Sequence, residues 1–76
     1  MRDNLVMDLS WTDVGGRNVS RVAWAAGVLY VGFVRSPSVY AYPDGDGGLH
    51  KALAESSSVD RDFVDLVRSR LTGRRV

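Results

Sequence analysis

Residues 19–42 read VSRVAWAAGVLYVGFVRSPSVYAY, and this stretch decides the fold. Its β-branched and aromatic residues fall into three runs, and such residues are enriched in strands. The runs are Val19 to Trp24, Val28 to Val34 and Val39 to Tyr42. Gly27 lies in the first connection and Pro37 in the second, and both residue types favour turns. The stretch therefore predicts an antiparallel meander of three strands, with a turn over Arg35 to Ser38.

Tyr40 and Tyr42 are separated by one residue in the third predicted strand. Because side chains alternate between the two faces of a strand, both rings should point to the same face of the sheet. If that face packs against a helix, the rings belong to the core and their hydroxyls reach water at an edge. If it faces solvent, the rings form a surface on which unpaired bases stack. The sequence leaves both arrangements open.

Two helices are predicted after the strands. A short helix covers residues 49–55, and a longer one covers residues 59–71, where apolar residues recur at helical spacing. Ser57 and Asp60 have the spacing of a capping box at the start of the longer helix. Its apolar side needs a packing partner, and the sheet is the surface that we expect it to cover.

These elements predict an α+β fold, in which a three- to four-stranded antiparallel meander packs against a C-terminal amphipathic helix. The fourth strand is an N-terminal strand or arm over residues 4–12, where Leu5, Met7, Leu9 and Trp11 alternate with their neighbours. A chain of 76 residues has room for one core, so we expect a single domain over residues 1–76.

The composition narrows the class of protein. The chain has no cysteine, which excludes disulfides and thiolate metal sites, so apolar packing must stabilise it, with self-association into a homo-oligomer as a further source of buried surface. Its net charge of +1 is far from that of a dedicated duplex-DNA binder. No run approaches the roughly 18 apolar residues of a membrane span, so we expect a cytoplasmic protein without a membrane partner.

Catalytic and cofactor signals are weak. His50 is the only histidine, and no serine near it has the context of an activated nucleophile. Asp44, Asp46 and Glu55 have part of the spacing of a calcium loop, but Leu49 stands where that loop needs a glycine. We therefore expect no enzyme activity, no cofactor and no metal site.

The binding candidates are aromatic and arginine side chains, which stack on bases and hold phosphates. Arginines also suit the end of a helix, where they complement its dipole, so the charged tail has a structural explanation as well. The candidate nucleic-acid-binding residues are Tyr40, Tyr42, Arg21, Arg35, Arg68, Arg70, Arg74 and Arg75.

The order of these features resembles the KTSC domain, a family named for the C-terminus of some lysyl-tRNA synthetases and found also as small stand-alone bacterial and phage proteins. The similarity covers residues 19–70, and its most recognisable element is the Tyr-x-Tyr of Tyr40 and Tyr42. The other matching segments are residues 19–24, 29–33 and 53–56 and the helix with Phe63. The resemblance implies a small strand-strand-strand-helix domain, and an RNA-binding role by association with the synthetase.

The sequence leaves two functions open. The first is a small non-enzymatic module that binds RNA or single-stranded nucleic acid through an aromatic and arginine surface. The second is a protein-binding module, either a phage-encoded regulator of a host protein or a homo-oligomer that uses the same face or an edge strand. The exposure of Tyr40 and Tyr42 bears on both.

Overall fold

The computed structural model describes residues 9–43 and 47–76, and it has an α+β fold. Within these residues, five antiparallel strands form one sheet in the order β1-β2-β3-β4-β5. The strands are β1 (Thr12–Asp13), β2 (Val19–Ala25), β3 (Val28–Phe33), β4 (Ser36–Tyr42) and β5 (Arg74–Arg75). The helices are α1 (Gly47–Ala54) and α2 (Val59–Phe63), and α2 continues as a π-helical turn (Val64–Arg68). The predicted meander packed against a C-terminal helix is confirmed.

Strands β2 and β3 form the predicted hairpin through a two-residue turn. Ala25 pairs with Val28, and between them Ala26 has a φ of 51° and Gly27 a φ of 77°. Two positive φ values in a two-residue loop define a type I′ turn, whose twist matches that of the flanking strands. Glycine adopts this conformation freely, but alanine is strained in it.

We expect Ala26→Asn to stabilise the protein by about 1 kcal/mol, because asparagine tolerates positive φ better than alanine does. Urea denaturation of the variant and the parent chain measures the difference. Ala25→Asn, in the adjacent strand position, is the control and is expected to give no gain. If the Ala26→Asn variant is no more stable than the parent, the positive φ of Ala26 does not destabilise the turn.

Strand β4 begins three residues earlier than the sequence predicts, so the turn predicted over Arg35 to Ser38 is too long. The turn consists of Val34 and Arg35, since Phe33 pairs with Ser36. The pairing then shifts, because Gly32 pairs with Val39 and leaves the two residues between Ser36 and Val39 without partners on β3. Pro37 lies in this irregularity, where its missing N–H breaks no ladder hydrogen bond.

Strand β5 was not predicted. Arg74 pairs with Ala41 and Arg75 with Tyr40, and the Val76 N–H donates to the Val39 carbonyl over 2.8 Å. The segment that leads into β5 passes close to Tyr42: a Cβ on Gly73 would lie 2.5 Å from the Tyr42 ring. Only glycine fits this approach, so part of the predicted arginine tail is an ordered edge strand.

The N-terminal strand predicted over residues 4–12 falls mostly outside the described residues, which begin at Leu9. Within them, the strand is β1, in which Thr12 pairs with Val22 and Asp13 with Arg21. Trp11 precedes it and is not part of the strand.

The C-terminal helix begins at Val59 as predicted, but it differs from its prediction in its N-terminal cap and at its C-terminal end. Its regular part is short, and the last turn has π geometry, in which the Ser69 N–H donates to the Val64 carbonyl over 3.1 Å. The helix ends at Arg68 rather than at residue 71. The capping box predicted for Ser57 and Asp60 is wrong, because the N-cap residue is Ser58 and no side chain caps the helix there.

Asp60 instead binds a distant loop. Its carboxylate accepts hydrogen bonds from the backbone N–H groups of Arg17, Asn18 and Val19, at 2.8, 3.1 and 2.8 Å. We call this arrangement the Asp60 clamp. It joins the start of α2 to the start of β2, and it needs Gly16, because a Cβ there would lie 2.6 Å from Asp60 Oδ1.

Both helices cover the same face of the sheet. The core between these layers is apolar and includes side chains from three strands and both helices: Val19, Val22, Leu29, Val31, Tyr42, Leu53, Val59, Phe63 and Val67. No helix in the described part of the chain has the length and apolar composition needed to cross a membrane.

Candidate functional site: the aromatic cleft

Four aromatic rings meet where the sheet contacts the C-terminal helix. Phe33 lies at the centre with Phe63, their centroids 5.5 Å apart. Tyr40 packs on Phe33 at 5.6 Å, and Tyr42 packs on Phe63 at 5.9 Å. All three contacts are edge-to-face, the geometry that aromatic quadrupoles prefer. The two tyrosines are therefore joined through a pair of phenylalanines from different elements.

The register decides which way the tyrosines point. Tyr40 pairs with Val31 and Tyr42 with Leu29, and both partners belong to the core. Residues directly opposite each other in an antiparallel pair share a face, so both rings lie on the side that the helices cover. Tyr42 is 6% exposed, whereas Tyr40 is half-buried at the margin of the core. The ring of Tyr42 is a core element, and only Tyr40 keeps substantial contact with solvent.

Beside these rings is a cleft of about 410 Å³, which we call the aromatic cleft. Its apolar surface comes from the four aromatic residues, and two arginines are part of its lining. The lining residues are Asn18, Phe33, Arg35, Ser36, Tyr40, Tyr42, Phe63 and Arg68. The structure thus brings together four of the eight residues predicted from the sequence: both tyrosines, Arg35 and Arg68.

The π-helical turn explains how Arg68 reaches the cleft. In an α-helix, five residues turn by about 500°, which would place Arg68 about 140° around the axis from Phe63. A π-helix has about 4.4 residues per turn, so the same five residues complete little more than one circle. Arg68 therefore lies near the side of the helix that carries Phe63, and both line the cleft.

Arg35 reaches the cleft from the tight turn between β3 and β4. The turn is anchored by the Val34 N–H, which donates to the Asn18 carbonyl over 2.8 Å. On the other side of Arg35, the Ser36 hydroxyl oxygen accepts a hydrogen bond from the Ser38 N–H at 3.1 Å. These bonds hold the backbone in place on both sides of Arg35. The side chain of Arg35 is exposed, but the position of its backbone is therefore well defined.

The surroundings of the Tyr42 hydroxyl raise its pKa. Burial raises the pKa of Tyr42, the neighbouring Tyr40 raises it further, and the positive charge of Arg68 acts in the opposite direction. Tyr42 therefore stays a neutral hydrogen-bonding group beside an arginine. Tyr42 lines the cleft, and its ring packs in the core.

The other predicted arginines lie elsewhere. Arg75 shares a face with Tyr40 through their pairing, but it does not line the cleft. Arg74 pairs with Ala41 and so lies on the opposite face of the sheet. Arg21 is on that opposite face too, with its guanidinium 4.3 Å from the centroid of the Trp11 ring. Arg70 is exposed beyond the end of the helix.

Phe33, Phe63, Asn18 and Ser36 line the cleft but were not among the site residues expected from the sequence. Spacing could have placed Phe33 and Phe63 in the core, because each follows the period of its element. Their meeting at a cleft depends on how the helix crosses the sheet, which no local pattern encodes.

A second cleft, of about 370 Å³, lies between the Gly15–Gly16 loop and the serine-rich segment before α2. Backbone N–H groups in such a loop are suited to anions. Here the N–H groups of Arg17, Asn18 and Val19 already donate hydrogen bonds to the carboxylate of the Asp60 clamp. We therefore regard this cleft as structural.

His50 lies on α1 and does not line the aromatic cleft. Its buried Nε2 has no hydrogen-bond partner among the described residues. Asp44 and Asp46 of the partial calcium spacing lie outside the described residues. Within residues 9–43 and 47–76, no three acidic or histidine side chains are grouped as metal ligands.

The sequence matches no protein-family model and no curated protein. The resemblance to the KTSC domain therefore stays a prediction from the residues quoted above. The proposed function is therefore based on the geometry of the aromatic cleft.

Proposed function

We propose that this protein is a small, cytoplasmic, non-enzymatic KTSC-like module that binds single-stranded nucleic acid, RNA in particular, in the aromatic cleft. The observation that carries the proposal is the convergence of Tyr40, Arg35 and Arg68. They come from a strand, a turn and a helix, and they line one cleft.

The chemistry of the cleft suits an unpaired nucleotide. Arginine forms charge-assisted, bidentate hydrogen bonds to phosphate oxygens, and an aromatic ring stacks on any base. Neither Arg35 nor Arg68 forms an ion pair with an acid among the described residues. The low net charge of the chain is compatible with this site, because two local arginines supply the positive charge.

The geometry narrows the stacking surface that the sequence predicted. The pair Tyr40 and Tyr42 does not act as a double platform, because the Tyr42 ring is packed between Phe63 and Gly73. In the proposal Tyr40 stacks and Tyr42 presents its hydroxyl. Arg21 and Arg74, on the opposite face, are not part of the proposed site.

We expect the double variant Arg35→Ala with Arg68→Ala to bind a fluorescent single-stranded RNA at least about tenfold more weakly in low salt. Loss of two phosphate contacts should also reduce the slope of log K against log salt by about 1.4. Fluorescence anisotropy between about 50 and 200 mM salt measures both quantities.

The matched control is Lys51→Ala with Arg61→Ala. Both side chains are exposed on the helices and outside the aromatic cleft, and the net charge falls by the same amount. This control should retain near-parental affinity. Equal losses in the two double variants would show that binding follows overall charge, and absence of RNA binding by the parent chain would refute the proposal.

A protein partner is the second candidate, and the exposure of two large apolar side chains beside cleft residues favours it. Val34 is 53% exposed next to Phe33, and Val64 is 43% exposed next to Phe63. Exposed apolar surface of this kind is common in interaction sites. Protein binding predicts salt-tolerant association that weakens in Val34→Ser with Val64→Ser. Light scattering of the purified protein tests the homo-oligomeric form of this alternative.

A further inference from the structure

We propose that the aromatic cleft is a one-nucleotide site, which holds a single nucleoside monophosphate unit with its base on Tyr40 and its phosphate between Arg35 and Arg68. This inference rests on the proposed function and narrows it, because it separates recognition of one nucleotide from recognition of a continuous strand.

The number of ring faces in the cleft supports a single nucleotide. Proteins that bind a run of bases present successive aromatic side chains, one for each stacked base. Here Phe33 and Phe63 are engaged with each other and with the tyrosines in edge-to-face contacts. Tyr42 is 6% exposed. Tyr40 alone remains for stacking, so one base is accommodated.

The volume of the cleft also supports a single nucleotide. The cleft volume of about 410 Å³ lies near the small end of the range for small-molecule sites, which runs from roughly 300 to 1,000 Å³. This is room for one nucleotide and not for two stacked on each other. The volume of the cleft therefore agrees with the presence of one ring, that of Tyr40, on which a base can stack.

The polar residues around the cleft are suited to a nucleotide. Arg35 and Arg68 come from separate elements that both border the cleft, so a tetrahedral phosphate can receive hydrogen bonds from two directions. Asn18, Ser36 and Tyr42 also line the cleft, and their side chains carry an amide and two hydroxyl groups. These groups are suited to a sugar or a base edge, whereas a simple inorganic anion would use only the arginines.

Titrations followed by NMR test the inference on the intact protein, with adenosine 5′-monophosphate, adenosine and inorganic phosphate as separate probes. We expect the monophosphate to shift amide signals of residues in β4, the β3–β4 turn and the π-helical turn. Adenosine and phosphate should each bind about tenfold more weakly, because each lacks one of the two contacts. Equal binding of phosphate and the monophosphate would overturn the one-nucleotide site.

A short oligoadenylate separates this inference from the proposed function. If it binds and the monophosphate competes with it at the cleft, both are supported. If it binds but the monophosphate does not, the one-nucleotide site is refuted and nucleic-acid binding stands. If the monophosphate binds but the oligoadenylate does not, the site is supported and the RNA function is refuted. If neither binds, both fail.

Two variants of one residue examine the stacking contact. Tyr40→Phe keeps the ring and should bind the monophosphate within about twofold of the parent, whereas Tyr40→Leu removes the ring and should lower affinity about tenfold. Near-equal affinity of the two variants would refute stacking on Tyr40. Thermal unfolding of both confirms that the comparison is made on folded protein.

Discussion

Asp60→Ala should lower the free energy of unfolding by about 3 kcal/mol. The substitution leaves the backbone N–H groups of Arg17, Asn18 and Val19 without their shared acceptor. Hydrogen bonds to a charged group contribute about 1.5–3 kcal/mol each, and we take less than their sum because Asp60 is partly exposed to solvent. The clamp also joins two elements more than 40 residues apart in sequence, so its loss loosens β2 from the helix.

The pH dependence gives a separate readout. Hydrogen bonds from the Val19 N–H and then from Arg17 and Asn18 hold the pKa of Asp60 below its ordinary value, against an opposing effect of burial. A carboxylate with a lowered pKa stabilises the folded state above its unfolded pKa, and this contribution is lost as the pH falls through the folded pKa. The difference between the parent and Asp60→Ala should therefore be full above about pH 5 and shrink below about pH 4.

Urea denaturation across this pH range measures both effects. Asp65→Ala is the matched control, because Asp65 is an exposed acid on the same helix and its side chain forms no hydrogen bond among the described residues. It should change stability by less than about 0.5 kcal/mol. A similar loss in both variants would point to a general charge effect on the helix and contradict the clamp.

Phe63→Ala should lower the free energy of unfolding by about 4 kcal/mol, the largest effect expected of a single substitution here. Phe63 is 3% exposed and contacts the rings of both Phe33 and Tyr42. Its removal leaves a cavity between the helix and the sheet and takes away the edge-to-face contacts. Because small domains have a total stability of only about 5–15 kcal/mol, the variant will be close to unfolding.

Urea denaturation followed by tryptophan fluorescence measures this loss, and Phe63→Leu keeps the test usable if Phe63→Ala does not fold. The leucine variant should lose less, about 1–2 kcal/mol, since it retains most of the buried volume. Val64→Ala, at the neighbouring exposed position, is the control and should stay within about 0.5 kcal/mol of the parent. A loss at Phe63 no larger than that at Val64 would show that the aromatic cluster does not hold the helix on the sheet.

Phe63 also connects stability with the proposed function, because it packs in the core and lines the aromatic cleft. Variants of Phe63 therefore report on both at once, whereas Arg35 and Arg68 are exposed and can be changed without opening the core. For this reason the binding tests rest on the arginines and on Tyr40.

Alternation and turn chemistry in residues 19–42 were enough to predict three strands, the hairpin and the shared face of Tyr40 and Tyr42. These are local properties, since side-chain alternation and glycine at a turn depend on neighbours within a few residues. Helical spacing in the same way predicted a helix that begins at Val59 and whose apolar side packs on the sheet.

The tertiary structure alone decided which face the helices cover and how deeply each of the two tyrosines on that face is buried. It also decided that Asp60 binds the loop at Arg17 rather than capping its own helix, that Gly73 and the following arginines form an edge strand, and that a π-helical turn carries Arg68 to the cleft. Each of these features arises from contacts between segments far apart in the chain. Such contacts select among local arrangements of similar energy, and they leave no periodic pattern in the sequence.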